Sequence, residues 1–223
     1  KTPVLSIDAN VYCDTKIIAL ALARHFDNHE LYAHGFSAHR VADWADSQLF
    51  QVAVALNFSP EAVAAMMGNL APEEAAAFQQ DRAELAKGAS IVGFSPEAAG
   101  GYLRHHLEEL DDSVTDGYLF GARPSIADFS VYHCLWFVQN NPVNAPRLEP
   151  YGNVRAWMDR MAGFGHGQVS ESTGEAALAA ARDVAPMLPD LDDALPEGFA
   201  LGQNVTVTPV DYGRIPVAGR LAG

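Results

Sequence analysis

The chain has 223 residues, 49% of them hydrophobic and 19% charged, with 18 glycines and 13 prolines spread along it, a globular composition with room for one large domain or two unequal ones. Twenty-eight acidic against 14 basic side chains give a formal charge of −14, which repels phosphate backbones and anionic membrane surfaces and argues against nucleic acid or membrane as a partner. Cys13 and Cys134 are too few for a disulfide scaffold, no secretory segment is visible and the longest apolar run, Val131 to Val138, is too short to span a bilayer, so a reducing cytoplasm is the expected compartment.

Thr2-Pro3-Val4-Leu5 reads as a strand, Ser6-Ile7-Asp8-Ala9-Asn10 carries the Asp and Asn of a turn, and Val11-Tyr12 returns, so a small hairpin is expected. From Asp14 the pattern becomes helical, with Ile17, Ile18, Ala21 and Leu22 at three-and-four spacing and Phe26-Asp27-Asn28 closing the run. A strand pair and one helix are too little to close a domain. The opening Lys1, without methionine and already in strand-like sequence, leads us to expect a chain that begins inside a longer protein.

The rest reads as successive helices. Val41, Trp44, Ala45, Leu49, Val52, Ala53 and Leu56 fall on one face of a single long helix. Ser59-Pro60-Glu61 and Ser95-Pro96-Glu97 each supply a cap, a first-turn proline and an acid at the positive dipole end; Pro72-Glu73-Glu74 does much the same. Ser125-Ile126-Ala127-Asp128 is a capping box, and Phe129 through Val138 is apolar nearly all round, the mark of a helix at the centre of a bundle. Val154, Trp157, Met158 and Met161 share one face of a helix ending near Gly163, and an alanine-rich helix is expected from Glu175 to Val184. Pro186 to Asp193 reads as linker and Val205-Thr206-Val207-Thr208 as a strand, with no partner apparent at Ile215-Pro216-Val217.

Two separated segments resemble one family. Thr2-Pro3-Val4-Leu5, the hairpin and Cys13-Asp14-Thr15 opening a helix are similar to the second half of the thioredoxin-like domain of glutathione S-transferases. Leu119 to Asp128 resembles the start of the central buried helix of that family's all-helical domain, which carries a Ser-x-x-Asp box. The resemblance implies an α+β, predominantly α fold: a partial thioredoxin-like domain over residues 1–30, an all-helical domain over 36–168 and a carboxyl extension over 170–223. It further implies a cytosolic enzyme, usually a homodimer, in which glutathione is co-substrate and its thiolate attacks a small electrophile held against the helical domain.

By the same resemblance the glutathione-binding roles fall on Thr2 and Pro3, where a cis peptide presents its backbone to the cysteinyl part, and on Asp14 and Thr15, which hold the γ-glutamyl end. A carboxylate suits the γ-glutamyl ammonium, while a hydroxyl and helix N-terminal amides suit its carboxylate. The family's thiol-activating Tyr, Ser or Cys precedes the cis-proline, so no catalytic residue is expected in this chain. Arg40 and Trp44 lie on the helix that lines the family's electrophile pocket. Arg40 is a cation able to stabilise the thiolate, and Trp44 is explained equally by core packing.

Other residues read more plainly. Ser125 and Asp128 are structural caps rather than catalytic groups, Cys134 is core, and Cys13 is a small packing residue. No metal is expected: His25, His29, His34 and His39 straddle a loop without supporting carboxylates, and the adjacent His105 and His106 point to different faces of a helix. The fold does not fix the reaction. A glutathione-dependent isomerase, ether-cleaving enzyme or dehalogenase, or a non-enzymatic interaction module, would be built on the same scaffold.

Overall fold

The computed structural model describes residues 3–68, 70–89, 93–187 and 195–222. The chain divides into two compact units. One gathers Lys1–Asn28, Gln79–Ser90 and Gln168–Gly223, and the other, entirely helical, gathers His29–Phe78 and Ile91–Gly167.

In the first unit β1 (Val4–Ile7) and β2 (Asn10–Cys13) form the expected antiparallel hairpin, with Val4 opposite Cys13 and Ile7 opposite Asn10. The two-residue loop Asp8-Ala9 works because Asp8 takes a left-handed φ of 52°, which the tight turns that match strand twist require. Helix α1 (Thr15–His25) follows at once, and it ends where Asp27 turns left-handed at φ 48° and the Asn28 amide bonds back to the Ala23 carbonyl at 2.9 Å. In the tail, α9 (Gly174–Arg182) is capped by Thr173, and β3 (Asn204–Val207) does have a partner, β4 (Val217–Arg220). The proline at 216 precedes the ladder rather than interrupting it. The linker segment Leu188 to Asp193 lies outside the described residues.

The helical unit comprises α2 (Gly35–Trp44), α3 (Phe50–Asn57), α4 (Pro60–Met67), the start of α5 (Pro72–Ala86), α6 (Pro96–Ser113), α7 (Ile126–Gln139) and α8 (Gly152–Ala162). The expected caps are made: Ser59 Oγ accepts from the Ala62 amide at 3.4 Å and Ser95 Oγ from Ala98 at 3.2 Å. α7 is the central helix, packed against α2, α3 and α8, and the core joins Leu49, Val52 and Leu56 to Leu103, Leu107, Val131, Leu135, Val154 and Trp157. Among the described residues no single helix is long and apolar enough to cross a membrane.

The long helix expected over Val41 to Leu56 is interrupted. A π-helical turn at Ala45–Leu49 separates α2 from α3, with the Phe50 amide reaching back five residues to the Ala45 carbonyl. That carbonyl also accepts from Cys134 Sγ–H at 3.4 Å, so the buried thiol on α7 binds the bulge. Burial and the nearby Asp46 carboxylate push the Cys134 pKa from 9.0 up to about 12. The folded thiol therefore keeps its proton while the unfolded one loses it, and stability falls as pH rises from about 9 to about 12, by up to about 1.4 kcal/mol per pH unit. Denaturant melts of wild type and Cys134→Ala across that range check it; equal slopes would show that Cys134 does not supply this term.

The start of α7 is a hub. Asp128 is fully buried, and its carboxylate accepts from the Ser125 amide at 2.8 Å, the Ser125 hydroxyl at 2.9 Å, the Leu119 amide at 2.8 Å and Trp157 Nε1 at 3.0 Å. The capping box is present, as the spacing implies. Leu119 belongs to a tight turn in which Tyr118 and Gly121 exchange backbone hydrogen bonds, and Arg160 donates to the Gly117 carbonyl through Nη2 at 2.7 Å. A Cβ on Gly117 would lie 2.6 Å from the Gly121 carbonyl oxygen, so Gly117→Ala must displace this turn. We expect a loss of about 1–3 kcal/mol in chemical denaturation, and an unchanged midpoint would mean that the turn relaxes freely.

Candidate functional site

The first cluster is at the start of α1. Thr2, and with it the Thr2–Pro3 bond, lies outside the described residues; Pro3 is exposed beside β1. Asp14 and Thr15 are both exposed. Asp14 Oδ1 accepts from the Lys16 amide at 2.9 Å, so the carboxylate caps α1.

Its backbone is unusual: φ 93° and ψ 123°, where a capping residue normally sits in the β region. A non-glycine residue held so costs about 1–3 kcal/mol, and a cap returns only about 1 kcal/mol. Capping alone does not explain an aspartate here.

The second cluster surrounds a cavity of 460 Å³ within the helical unit. Its walls are mostly apolar, with Val41, Leu103, Leu107 and Leu135 prominent, and Trp44, His106, Glu109 and Ser113 bring polar or polarisable groups to it. Trp44 is held in orientation: its indole N–H donates to Tyr102 Oη at 2.9 Å, and that hydroxyl donates to Gln48 Oε1 at 2.8 Å. Arg40, one turn earlier on α2, is exposed, pairs with Asp43 at 2.6 Å and lies over the Phe36 ring at 5.4 Å. The structure thus brings Trp44, but not Arg40, into the cavity wall.

His106, which adjacency to His105 argues against as a metal ligand from sequence, is also a wall residue. Its ring centroid lies 4.4 Å from Tyr102 and 5.0 Å from Trp44. His106 Nδ1 is 3.0 Å from Glu109 Oε2, and His105 Nε2 is 3.6 Å from Glu109 Oε1. Adjacent residues do leave a helix in different directions, yet Glu109 is three residues beyond one histidine and four beyond the other, so both rings turn toward it. The missing signal was that shared third residue.

A hairpin and capped helix in one unit, and a bundle built round a helix with a buried Ser-x-x-Asp box in the other, define a class of two-unit protein with known relatives. Residues 75–160 match the family model described as glutathione S-transferase, C-terminal domain. A GST-like protein from Pseudomonas syringae of known crystal structure is 37% identical, with a TM-score of 0.70, over 99% of this chain and 69% of that one. A glutathione S-transferase from Actinobacillus pleuropneumoniae aligns at 16% identity and a TM-score of 0.44, over 82% of this chain and 68% of that one. No curated protein matches. The chain belongs to the glutathione S-transferase family.

Proposed function

We propose that the protein binds glutathione through the start of α1 and transfers its thiolate to a small apolar electrophile. The observation that carries this reading is the strained backbone of Asp14. A residue kept at φ 93° without being glycine points to a side chain retained for what it binds.

The groups present fit the γ-glutamyl end. An exposed carboxylate at Asp14 can pair with an ammonium, and the exposed Thr15 hydroxyl with the first amides of α1 can receive a carboxylate. Glutathione supplies the nucleophilic sulfur, activated by lowering its thiol pKa, and the residues named here hold its far end. The cavity beside Trp44 supports an apolar acceptor, because a mostly hydrocarbon wall with few polar groups selects by shape and burial.

Retention of the full-length protein on immobilised glutathione, and turnover of aryl halide and epoxide acceptors, test the reading. Wild type should be retained and eluted by free glutathione, while Thr15→Ala should weaken retention through the loss of one hydrogen bond to a charged group, about 1.5–3 kcal/mol. Absence of retention by wild type would leave an interaction module as the better reading of the fold.

A further inference from the structure

We propose that His105, His106 and Glu109 on α6 form a binding site for a divalent transition-metal ion at the wall of the helical unit's cavity. One ligand atom from each of the three residues lies within 4.8 Å of the other two. Around a tetrahedral ion with bonds of about 2.1 Å, ligand atoms stand about 3.4 Å apart. His106 Nδ1 lies 3.0 Å from Glu109 Oε2 and His105 Nε2 lies 3.6 Å from Glu109 Oε1, so the two oxygens of one carboxylate already face the two imidazoles at close to that spacing. The three groups need only draw together from separations of at most 4.8 Å. With 66% of the His105 side chain and 61% of Glu109 exposed, modest rotations accomplish it.

Three further observations favour an ion over a plain pair of imidazole–carboxylate contacts. His106 is only 25% exposed and is braced against Tyr102 and Trp44, so one ligand is positioned before binding and less rotamer freedom is lost. Glu97, Glu108, Asp111 and Asp112 lie on the same helix in a chain of net charge −14, which raises the local concentration of cations. Finally, His106 and Glu109 both line the cavity, so an ion held by three side chains keeps an open position toward a space of 460 Å³. Two imidazoles and a carboxylate suit zinc, cobalt or nickel rather than magnesium or calcium.

The test uses the full-length protein without a polyhistidine tag, stripped with chelator and titrated with Zn²⁺ by calorimetry and with Co²⁺ by visible absorption, in the absence of glutathione. One saturable equivalent with micromolar affinity is expected, and His105→Gln, His106→Gln and Glu109→Gln should each weaken it by about tenfold or more. Without metal the melting temperatures of His105→Gln and Glu109→Gln should stay near wild type, because those two side chains are mostly exposed. Cu²⁺ should quench tryptophan fluorescence in wild type and much less in Trp44→Phe, since the His106 ring sits 5.0 Å from that indole. Absence of saturable binding overturns the proposal. So does binding that survives all three substitutions, or that disappears instead on replacing His25 and His29. Glutathione binding does not enter these readouts, so the site and the transferase reading stand or fall separately.

Discussion

Asp128→Ala is expected to destabilise the protein by about 4 kcal/mol, the low end of the cost of leaving four donors, three of them buried and the Leu119 amide partly so, without an acceptor at about 1–3 kcal/mol each. A cap alone would cost about 1 kcal/mol. The excess comes from the Leu119 amide and Trp157 Nε1, which belong to a different loop and a different helix and have no reason to meet except at this carboxylate. For a chain of this size the change should lower Tm by about 8–16 °C. Asp128→Asn keeps the shape but turns an amide NH₂ toward some of the donors, so about half the loss should remain. A drop of only about 1 kcal/mol in Asp128→Ala would mean that water replaces the carboxylate and that the hub is a simple cap.

The second large effect is expected at the far end of the same helix. Asn144 Nδ2 donates to the Leu56 carbonyl at 3.0 Å and to Asn57 Oδ1 at 2.9 Å, while Asn57 Nδ2 donates to the Phe137 carbonyl at 2.6 Å. Asn141 Nδ2 reaches the Ala62 carbonyl at 3.2 Å, and Arg147 Nε donates to Asn144 Oδ1 at 3.1 Å. All three asparagines are fully or almost fully buried. Asn57 satisfies the Phe137 carbonyl where α7 ends, Asn144 adds a donor to the Leu56 carbonyl where α3 ends, and Asn141 ties the segment after α7 to the first turn of α4. Asn144→Leu and Asn57→Leu should each cost about 2–4 kcal/mol, because the first leaves the buried Asn57 Oδ1 and the second the Phe137 carbonyl without its side-chain donor. In a double-mutant cycle the pair should couple by about 1 kcal/mol or more; strict additivity would show that the two asparagines act separately.

These two sites show where the sequence is transparent and where it is not. The Ser125-x-x-Asp128 spacing is local, so the start of α7 was readable, and so were the apolar stripe that buries it and the serine caps of α4 and α6. The convergence of Leu119 and Trp157 on Asp128 depends on how α7 and α8 pack, and no periodicity encodes that. Asn57, Asn141 and Asn144 look in sequence like ordinary helix-end and turn residues, because asparagine favours those places for local reasons too.

The π turn at Ala45–Leu49 is invisible for a similar cause. It preserves the apolar face of α2 and α3 while adding one residue to a single hydrogen-bonded ring, and the thiol that meets its carbonyl comes from another helix. Asp14 stands between the two cases. Its identity and place before a helix were legible, but its backbone angle, which separates a plain cap from a retained ligand group, is a property of the fold.

That angle makes the central claim testable in a single variant. Asp14→Gly removes the carboxylate and relieves the left-handed strain, and as an N-cap glycine costs only a few tenths of a kcal/mol relative to aspartate. Glutathione affinity by calorimetry and thermal melting should be measured together on the full-length wild type and Asp14→Gly. The account predicts that Tm is unchanged or higher while affinity falls by about tenfold or more, the loss expected for one charge-assisted contact. A variant that melts lower and binds glutathione as well as wild type would contradict it, and would return Asp14 to the role of a helix cap.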